Sequence, residues 1–571
     1  MEGGNVSVLF EAHRPRLERA VAAIRQRGAW SPFTESPSRK KHPPGAHAAG
    51  RLAYEARLGR PFSLGLPGEV GRVGSEVSPF TGEALGIDYP SVEVDALYAG
   101  IRGAWPAWRR AAPEVRVGVC AEILDRWAGQ SFENAYATMH TAGQAFMLAF
   151  AGSGASSLDR GLEALATAWV AMDAVPRRAT FCRTFGRGAP VTLEKRYRLV
   201  PVGVAVVLSC GSYPAWNAYP AILANLATGN PVVLKPHPDT ILPMAIAVEA
   251  ARAVLSEAGF SPDLITMACD TWAAPIALSL LDHPDTAIVD FTGGQQFGTF
   301  IEQNYRHLQV YTETAGCNAV VLESADDLGA VLEAVAHGLV LFGAQMCTAP
   351  QNIWIPRQGV WDGGTLVPAD AVVARLAAAV DVLVADPAQA AGLCGALHAE
   401  KTLGELAAVE AALGERVVRR GAPYAHPEHP QARTATPLLG RLDAGDRSLA
   451  QREHFGPVGF VIVADDRDAA LEGATDDARR FGAIASYAYS EDDDWIEVVE
   501  DAFAEAGASV GINLVRQRPI NFTAAYSDFH VTGANPAGTA CLTDLAFVAR
   551  RFRIVQSKRE RRGEHRGSAV S

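Results

Sequence analysis

The sequence predicts an α/β protein of two or three domains, built on parallel sheets that helices cover on both faces. The chain has 571 residues, which is too long for one hydrophobic core. From Pro201 onward, short apolar strands alternate with helical segments, and a second series of the same kind begins at Asn318. Strands that alternate with helices at this spacing are typical of parallel sheets.

The individual elements follow from apolar periodicity and β-branched runs. In the first series, strands are expected at residues 202–208, 231–234, 264–268, 287–291 and 308–311. Helices are expected between them at residues 221–227, 244–258, 272–281 and 295–304. The second series begins with a strand at 318–322 and a helix near 326–342, and further strands are expected at 351–355 and 459–462.

The region upstream of the first series is predicted to be mainly helical. Helical spacing occurs at 96–109, at 115–127 and through much of 130–175. Residues 1–74 form an N-terminal extension that looks peripheral, with an amphipathic helix expected from Leu17 to Arg27. We therefore expect the compact fold to begin near residue 75.

Composition excludes several classes of function. The net charge of −12 argues against nucleic acid or an anionic membrane as the main partner. The chain has no run of 18 apolar residues and begins with a polar, acidic segment, so we expect a cytoplasmic protein. Its eight cysteines form no CxxC pair and no cluster at zinc spacing, which predicts free thiols and no metal site.

One cysteine and one glutamate are the candidate catalytic pair. Cys347 lies between an apolar helical stretch and a strand, and Glu313 lies 34 positions upstream beside small residues. A single cysteine is most often a small buried hydrophobe. A thiol and a carboxylate that both leave room for a ligand suggest covalent catalysis with a water-activating partner.

Three further segments suggest a nucleotide site. Gly293, Gly294 and Gly298 follow an apolar strand and open a helix, so that a pyrophosphate could approach backbone N–H donors. Two glycines five positions apart are more often a simple turn, and the pattern is not the GxGxxG fingerprint. Lys235, followed two residues later by His237, ends an earlier strand, where α/β sheets bind ligands. The alternative for Lys235 is a solvated surface charge.

The third of these segments places a carboxylate two residues before an aromatic ring. In Glu453-His454-Phe455-Gly456-Pro457, Glu453 could hold a pair of ribose hydroxyls and Phe455 could flank a flat ring. By itself the segment would be interpreted as a loop before a strand. In order and approximate spacing, these segments together resemble the five motifs of the aldehyde dehydrogenase superfamily, and the resemblance covers residues 75–558.

A closer resemblance is to the N-type aldehyde dehydrogenases of phenylacetic acid degradation, carried by 139–147, 213–220, 311–316 and 344–352. It implies oxidation of a ring-opened semialdehyde, free or as a coenzyme A thioester. The hydratase domain of some relatives is not expected, because about 25 residues follow Phe547. The mechanism implied is attack by the Cys347 thiolate, hydride transfer to NADP or NAD, and hydrolysis of the thioester by water that Glu313 activates.

The chain departs from the family pattern at several positions. Counting back from Lys235, Ser212 occupies the position of the oxyanion-hole asparagine, and Ala344 replaces the glycine of Gly-Gln-x-Cys. Thr314 and Ala315 replace Leu-Gly after the glutamate. Pro238 stands where NAD-preferring relatives carry a ribose-binding glutamate, so Lys235 and His237 could attract a 2′-phosphate, which favours NADP over NAD.

The resemblance also implies the domain organisation. It is an aldehyde dehydrogenase-like fold with a Rossmann-type cofactor domain (75–178 and 199–315), an α/β catalytic domain (316–525) and an oligomerisation arm (179–198 and 526–558). Residues 559–571 are expected to be a basic, disordered tail. Strand-like alternation at 192–198 and 551–556 predicts a homodimer or homotetramer, with a surface hairpin as the alternative.

Two other functions stay open at this point. One is a coenzyme A-acylating aldehyde dehydrogenase, in which the coenzyme thiolate replaces water. Such enzymes generally lack the general-base glutamate, so Glu313 favours hydrolysis. The other is a non-catalytic scaffold that binds nucleotide, a hypothesis motivated by Ser212.

Overall fold

The computed structural model describes residues 4–188, 190–515, 523–540 and 544–561. The helices of the first half are α1 (Gly4–Gln26), α2 (Ala46–Glu55), α3 (Val94–Arg110), α4 (Pro113–Gly129), α5 (Ser131–Ala142), α6 (Phe146–Phe150), α7 (Ser157–Asp173), α8 (Pro214–Thr228), α9 (Leu242–Glu257) and α10 (Ala277–Leu281). Those of the second half are α11 (Gln295–Asn304), α12 (Leu328–Val340), α13 (Ala369–Val384), α14 (Pro387–Cys394), α15 (Lys401–Leu413), α16 (Arg467–Phe481), α17 (Asp493–Glu505) and α18 (Leu545–Ala549).

The strands have the following bounds. Upstream of residue 315 they are β1 (Glu69–Val73), β2 (Tyr89–Val92), β3 (Arg178–Thr184), β4 (Pro190–Pro201), β5 (Val204–Leu208), β6 (Val232–Lys235), β7 (Ile265–Met267), β8 (Thr286–Thr292) and β9 (Gln309–Glu313). Downstream they are β10 (Ala319–Leu322), β11 (Ser324–Ala325), β12 (Asn352–Pro356), β13 (Val360–Asp362), β14 (Thr365–Val367), β15 (Val417–Arg419), β16 (Leu438–Asp443), β17 (Val458–Ala464), β18 (Ala485–Tyr489), β19 (Ser509–Ile512) and β20 (Phe552–Glu560).

The first parallel sheet has the order β7-β6-β5-β8-β9. Relative to the chain this is the doubly wound order 3-2-1-4-5, which reverses direction between β5 and β8. Ligands bind beyond the carboxyl ends of the strands at such a point, so the topology places a binding crevice beyond Leu208 and Thr292. The strands and most helices of the first series are thereby confirmed. The exception is the helix expected at 272–281, which is formed only from Ala277 onward.

The second sheet has the order β15-β16-β17-β12-β10-β18-β19 and is parallel except between β15 and β16. Both of its faces are buried, because side chains of one strand alternate between two separate cores. On β10, Val320 and Leu322 belong to one core, whereas Ala319 and Val321 belong to the other. This arrangement explains why the strands of this domain are almost continuously apolar.

A third, antiparallel sheet projects from the two domains with the order β20-β4-β3. Phe552 lies opposite Pro201 and Glu560 lies opposite Leu193, so β20 pairs with β4 along its whole length. The strand-like alternation at 192–198 and 551–556 is thus confirmed as a pair of strands. The prediction of a disordered tail from residue 559 is wrong for Arg559 and Glu560, which belong to β20. Residues 562–571 of that tail, and Cys541, lie outside the described residues.

The N-terminal extension packs on the domain of the first sheet. α1 is longer than the predicted Leu17–Arg27 helix and contacts α4 and α7, with Phe10 and Leu17 buried in the same core as the first sheet. It ends where Arg27 takes a left-handed backbone conformation. The next segment places Trp30 against Tyr526, with ring centroids 5.1 Å apart. The extension is therefore part of the folded unit rather than a peripheral appendage.

A buried ion pair links the C-terminal segment to the domain of the first sheet. The Arg551 guanidinium donates to both carboxylate oxygens of Asp290 at 2.6 and 2.8 Å, and to Asn225 Oδ1 at 2.8 Å. The Arg551 side chain is fully buried. Among the described residues, no helix has the length and apolarity needed to cross a membrane.

Candidate active site

A large cavity lies between the two parallel sheets, with a volume of about 1220 Å³. It opens at the crevice predicted by the strand order. Nine of the ten predicted site residues line it, namely Cys347, Glu313, Ser212, Lys235, His237, Gly293, Gly294, Glu453 and Phe455. Gly298 does not: it lies within α11, and a Cβ atom there would approach Thr314 Cγ2 to 2.5 Å. Its role is close packing of helix against strand.

Cys347 is carried by a tight loop between α12 and β12. Before it, Phe342, Gly343 and Ala344 have φ of 52°, 55° and 52°, in the left-handed region. Non-glycine residues avoid this region, because Cβ approaches the backbone. Ala344 thus replaces the glycine of the family pattern at a position whose backbone conformation favours glycine. Contacts from the surrounding residues must therefore stabilise the loop.

Two amide side chains supply those contacts. Asn318 Nδ2 donates to the carbonyl oxygens of Cys347 and Ala349 at 2.8 and 2.9 Å, and its Oδ1 accepts from the backbone N–H of Ile484 at 2.9 Å. Gln345 donates to Phe342 O at 3.0 Å and accepts from the His398 N–H at 2.8 Å. Both side chains are buried. They fix the backbone around the thiol from both sides.

The thiol, a carboxylate and an imidazole meet in one triangle. Cys347 Sγ lies 3.9 Å from Glu313 Oε1 and 3.6 Å from His530 Nε2, and that nitrogen is 2.9 Å from Glu313 Oε1. Glu313 is the last residue of β9, and its carbonyl accepts from the Gly293 N–H at 3.2 Å. The structure thus brings together the predicted pair Cys347 and Glu313, and adds His530.

The surroundings of Cys347 disfavour the thiolate. Burial raises the pKa of the Cys347 thiol well above its usual range, and the nearby Glu313, Cys210 and Glu453 raise it further. A buried anion is costly unless it is paired or hydrogen-bonded. The site therefore needs a donor for the sulfur whenever it is charged.

Ser212 follows β5 and lines the cavity, as expected of an oxyanion-hole position. Its carbonyl oxygen accepts from Gln144 Nε2 at 2.7 Å. Its hydroxyl is a hydrogen-bond partner of the Cys210 thiol. Asn217 lies in α8 and donates to Thr292 Oγ1 at 3.0 Å. Both residues are thus engaged with the protein on the side of the cavity nearest the first sheet.

Lys235 and His237 together offer less net positive charge to a ligand than the sequence suggested. Lys235 Nζ lies 2.7 Å from Asp270 Oδ1, and the second oxygen of this nearly buried carboxylate accepts from the Ile276 N–H at 3.0 Å. Burial lowers the pKa of His237 well below its usual value, and His398 and Lys235 lower it further. His237 is therefore neutral at physiological pH, and the charge of Lys235 is balanced by a carboxylate.

Glu453 and Phe455 line the opposite wall. Burial and the charge of Glu405 raise the pKa of Glu453 to about 8. The loop before them is fixed by Gln351, which donates to Arg452 O at 3.0 Å and accepts from the His454 N–H at 2.8 Å. A carboxyl and an aromatic ring are thereby held on a rigid loop facing the cavity.

The cavity fits the dinucleotide that the resemblance implies. Its volume of about 1220 Å³ exceeds the roughly 300–1,000 Å³ of ordinary small-molecule sites, which leaves room for a dinucleotide and an aldehyde together. Gly294 is the N-cap of the ten-residue helix α11, and a Cβ atom at Gly294 would have no neighbour within 4 Å. Open space at a helix N-terminus, where N–H groups point outward, suits a pyrophosphate.

Some site residues were not found from the sequence. His530 is separated from Glu313 by 217 positions, and Asp270 lies three residues beyond β7. Asn318 appeared only as the start of a strand. A polar residue just beyond a parallel strand was the available signal for Asp270, whereas His530 lies on a loop with no periodic pattern.

The comparisons with known proteins agree with this geometry. The sequence model of the aldehyde dehydrogenase family matches residues 73–525. A vanillin dehydrogenase from Pseudomonas fluorescens is 28% identical over 438 residues, 74% of this chain and 82% of that protein. The chain spans about half, 53%, of 1-pyrroline-5-carboxylate dehydrogenase 1 from Halalkalibacterium halodurans, at 27% identity over 49% of this chain.

Solved structures extend the likeness to nearly the whole chain. The crystal structure of an NAD-dependent aldehyde dehydrogenase from Burkholderia multivorans has a TM-score of 0.95 and 43% identity, and the match covers 98% of this chain and 99% of that one. A Thermus 1-pyrroline-5-carboxylate dehydrogenase with bound NAD has a TM-score of 0.74 at 18% identity, covering 93% and 100% of the two chains. The second match shows the fold alone.

Proposed function

Because the chain belongs to the aldehyde dehydrogenase family, we propose that it oxidises an aldehyde to a carboxylic acid through a thioester on Cys347. The enzyme acts on the aldehyde group and uses NAD or NADP. The observation that carries the proposal is the contact of Cys347 Sγ with Glu313 Oε1 at 3.9 Å, within the cavity between the two sheets.

The first half of the reaction belongs to Cys347. Its thiolate attacks the aldehyde carbon, and the resulting thiohemiacetal carries negative charge on oxygen. The backbone N–H of Cys347 and the Ser212 hydroxyl are the proposed donors for that oxygen, since both residues line the cavity. Fixed donors aimed at developing charge are a large source of rate enhancement. The bound coenzyme supplies the hydride acceptor, held by Gly293, Gly294, Lys235, Glu453 and Phe455.

The second half belongs to Glu313. Glu313 lines the cavity, and its Oε2 is buried with no hydrogen-bond partner among the described residues. A carboxylate oxygen in this state can accept a proton from water as the water attacks the thioester. This geometry supports hydrolysis over transfer of the acyl group to coenzyme A, and it argues against a scaffold without activity.

NAD is the coenzyme that we propose. Pro238 has no carboxylate, but Asp270, which pairs with Lys235, supplies one to the same cavity wall. Neutral His237 offers no positive charge to a 2′-phosphate. A carboxylate accepts hydrogen bonds from ribose hydroxyls and repels a phosphate. The relative from Burkholderia multivorans, 43% identical, is described as NAD-dependent. NADP, which the sequence pattern at Pro238 favoured, is the alternative.

For the substrate, we propose a ring-opened semialdehyde of aromatic catabolism, free or as a coenzyme A thioester. The support is the sequence resemblance to the N-type enzymes of phenylacetic acid degradation and the large cavity. Trp216, Leu148 and Met346 supply apolar surface to the cavity wall. An aromatic aldehyde is the second candidate, since a vanillin dehydrogenase is among the relatives.

The test measures reduction of NAD and of NADP with a panel of aldehydes: medium-chain semialdehydes, their coenzyme A thioesters and vanillin. Cys347→Ala is the control. We expect NAD reduction that does not need free coenzyme A, that prefers semialdehydes, and that is lost in the Cys347→Ala variant. Dissociation constants for NAD and NADP, measured by titration, test coenzyme choice without turnover. Strict dependence on free coenzyme A would contradict hydrolysis, and tighter binding of NADP would contradict the role of Asp270.

We also propose that the enzyme is a homodimer or homotetramer. The sheet β20-β4-β3 projects from the domains, and its outer strands β20 and β3 present mostly exposed side chains. Ile554 and Val555 on β20 are large, apolar and more than half exposed. Open strand edges and exposed apolar side chains favour pairing with a second subunit.

A further inference from the structure

His530 contacts both members of the proposed catalytic pair. Its Nε2 lies 2.9 Å from Glu313 Oε1 and 3.6 Å from Cys347 Sγ. Its other ring nitrogen, Nδ1, is buried without a hydrogen-bond partner among the described residues. A neutral imidazole carries one proton, and the close carboxylate assigns that proton to Nε2, because a lone pair there would face the carboxylate oxygen. Nε2 is then a donor with two possible acceptors.

The loop that carries His530 is held by buried charges of α7. Arg160 donates to the carbonyl oxygens of Thr523 and Asp528 at 3.1 and 3.4 Å. Glu163 Oε1 accepts from the Tyr526 N–H at 2.9 Å, and the Tyr526 hydroxyl donates to Asp159 at 3.1 Å. Because these contacts are buried, the imidazole is held in place before any substrate arrives.

The sulfur has few other sources of stabilisation. The titratable groups that affect Cys347 are Glu313, Cys210 and Glu453, all of which raise its pKa. Tyr213 and Tyr487 are also close enough for the Cys347 charge to raise their pKa. Arg160 reaches only the far side, where it lies 5.4 Å from the ring centroid of Trp216, which in turn lies 5.7 Å from the His530 ring. His530 is therefore a side-chain donor in contact with the sulfur. The backbone N–H of Cys347 also lowers the pKa of the thiol, although less than burial raises it.

We propose that His530 is a catalytic residue that transfers its N–H hydrogen bond from Glu313 to the Cys347 thiolate. The S–H bond of Cys347 breaks and its proton passes to Glu313 Oε1, 3.9 Å away. The Nε2–H group, until then donated to Oε1, is donated to Sγ instead. In this step no proton is gained or lost by the three residues, and the negative charge moves from carboxylate to sulfur. Glu313 then releases the proton to solvent before it activates water for hydrolysis of the thioester. The inference rests on the proposed role of Cys347 as the nucleophile.

Alkylation of the thiol tests this step without turnover. The probe is iodoacetamide, and the rate of labelling of the Cys347 peptide is followed by mass spectrometry from pH 6 to 9 in the whole enzyme. EDTA is present, because the sulfur, carboxylate and imidazole atoms lie close enough to hold a metal ion together. The variants are His530→Phe, which lacks a donor, and His530→Gln, which offers an amide N–H. His307→Phe, at an exposed histidine outside the cavity, is the control.

A hydrogen bond to a charged group predicts roughly 10- to 100-fold slower labelling at pH 7 in His530→Phe. The His530→Gln variant should recover most of the loss, and its pH profile should stay close to that of the wild type. If His530→Phe does not fold, His530→Asn replaces it, since its shorter amide does not reach the sulfur. Equal rates in wild type and His530→Phe (or His530→Asn), or a Gln variant as slow as Phe, would overturn the inference. Such results would leave aldehyde oxidation by the wild type intact, whereas absent NAD reduction would contradict the proposed function itself.

Discussion

At the scale of single residues, the site depends on polar side chains that are buried where water cannot screen them. Asn318 satisfies two carbonyl oxygens around Cys347 and two backbone N–H groups of the neighbouring strand. Removal of such a side chain leaves several buried groups unpaired, which costs more than the hydrogen bonds alone. The thiol is thus positioned by hydrogen bonds of the Asn318 side chain rather than by apolar packing.

Glu453 gives a residue-scale prediction about pH. Its pKa in the folded protein is about 8, above the ordinary value of 4.5. The folded state therefore holds a proton that the unfolded state loses above pH 4.5, and the free energy of unfolding falls as the pH rises from about 4.5 to about 8. We expect Glu453→Gln to raise the free energy of unfolding at pH 9, by on the order of 1–2 kcal/mol because solvent in the cavity screens the charge.

Urea denaturation of the coenzyme-free protein at pH 4.5 and pH 9 measures this effect. The variant and the wild type should differ little at pH 4.5, where the carboxyl is protonated in the folded protein. Glu415→Gln, at an exposed glutamate, is the matched control. A Glu453→Gln variant with no gain at pH 9 would show that the carboxyl is not penalised by its surroundings.

The site was predictable from the sequence only where a motif carried it. Cys347 and Glu313 lie in short segments with small neighbours, and their contact follows from the order of the motifs. His530 gave no such signal, because its neighbours on the loop are not periodic and its partner is 217 positions away. Asp270 was missed for a different reason: its effect on Lys235 depends on the pairing of β6 with β7, which only the three-dimensional structure supplies.

At the scale of elements, the strand order is what makes the site. β5 and β8 are neighbours at the point where the first sheet reverses, so Ser212 and Gly293 follow their carboxyl ends into the same crevice. β9 then brings Glu313 into the same cavity, where it contacts Cys347 of the second domain. The parallel sheets were predictable from alternation.

The helix expected at 272–281 shows what the alternation of strands and helices does not predict. Between β7 and α10, residues 271–274 form a turn, the Trp272 indole donates to Asp239 at 3.0 Å, and Pro275 lacks a backbone N–H. Pro275 and the Trp272–Asp239 hydrogen bond thus keep the helix from beginning before Ala277, although the apolar spacing of 272–281 is helical.

The Arg551–Asp290 pair gives a prediction about the C-terminal segment. In Arg551→Ala, Asp290 would stay buried without its partner, and the carbonyl of Phe547 and the side chain of Asn225 would each lose a hydrogen bond. Breaking a buried pair from one side costs about 3–5 kcal/mol. We expect a loss of this size in the free energy of unfolding, measured by urea denaturation.

Arg550→Ala is the matched control, since Arg550 is adjacent and its side chain is less buried. It should change the free energy of unfolding by much less than Arg551→Ala. Equal effects of the two variants would mean that the segment is held by its backbone alone, not by the ion pair.

At the scale of the whole molecule, the fold joins four parts of the chain at one cavity. Glu35 of the N-terminal extension lines it together with residues of both sheets, and Ser156 donates to Glu35 at 3.3 Å. The C-terminal loop adds His530. The extension is therefore part of the cavity wall, a role that its loop-like sequence did not indicate.

The projecting sheet gives a prediction about assembly. If β3 pairs with a second subunit, Thr180→Pro should interrupt the strand by removing a backbone donor and straining its neighbours. We expect light scattering to give a multiple of 60.5 kDa for the wild type and a smaller mass for the variant. Val70→Pro, on the small exposed strand β1, is the control and should not change the mass. A wild-type mass of one subunit would contradict the proposed assembly.

The most direct test of the central claim is a covalent one. Glu313→Gln lacks both the acceptor of the Cys347 proton and the base that activates water. Attack by Cys347 and hydride transfer should therefore be slower, through thiolate that loses its proton to solvent, and the reaction should stop at the thioester. When this variant is mixed with NAD and a semialdehyde, we expect a single burst of about one NADH per active site and an acyl group on the Cys347 peptide, detected by mass spectrometry. Continuous turnover at the wild-type rate, or an acyl group on any other residue, would contradict the account.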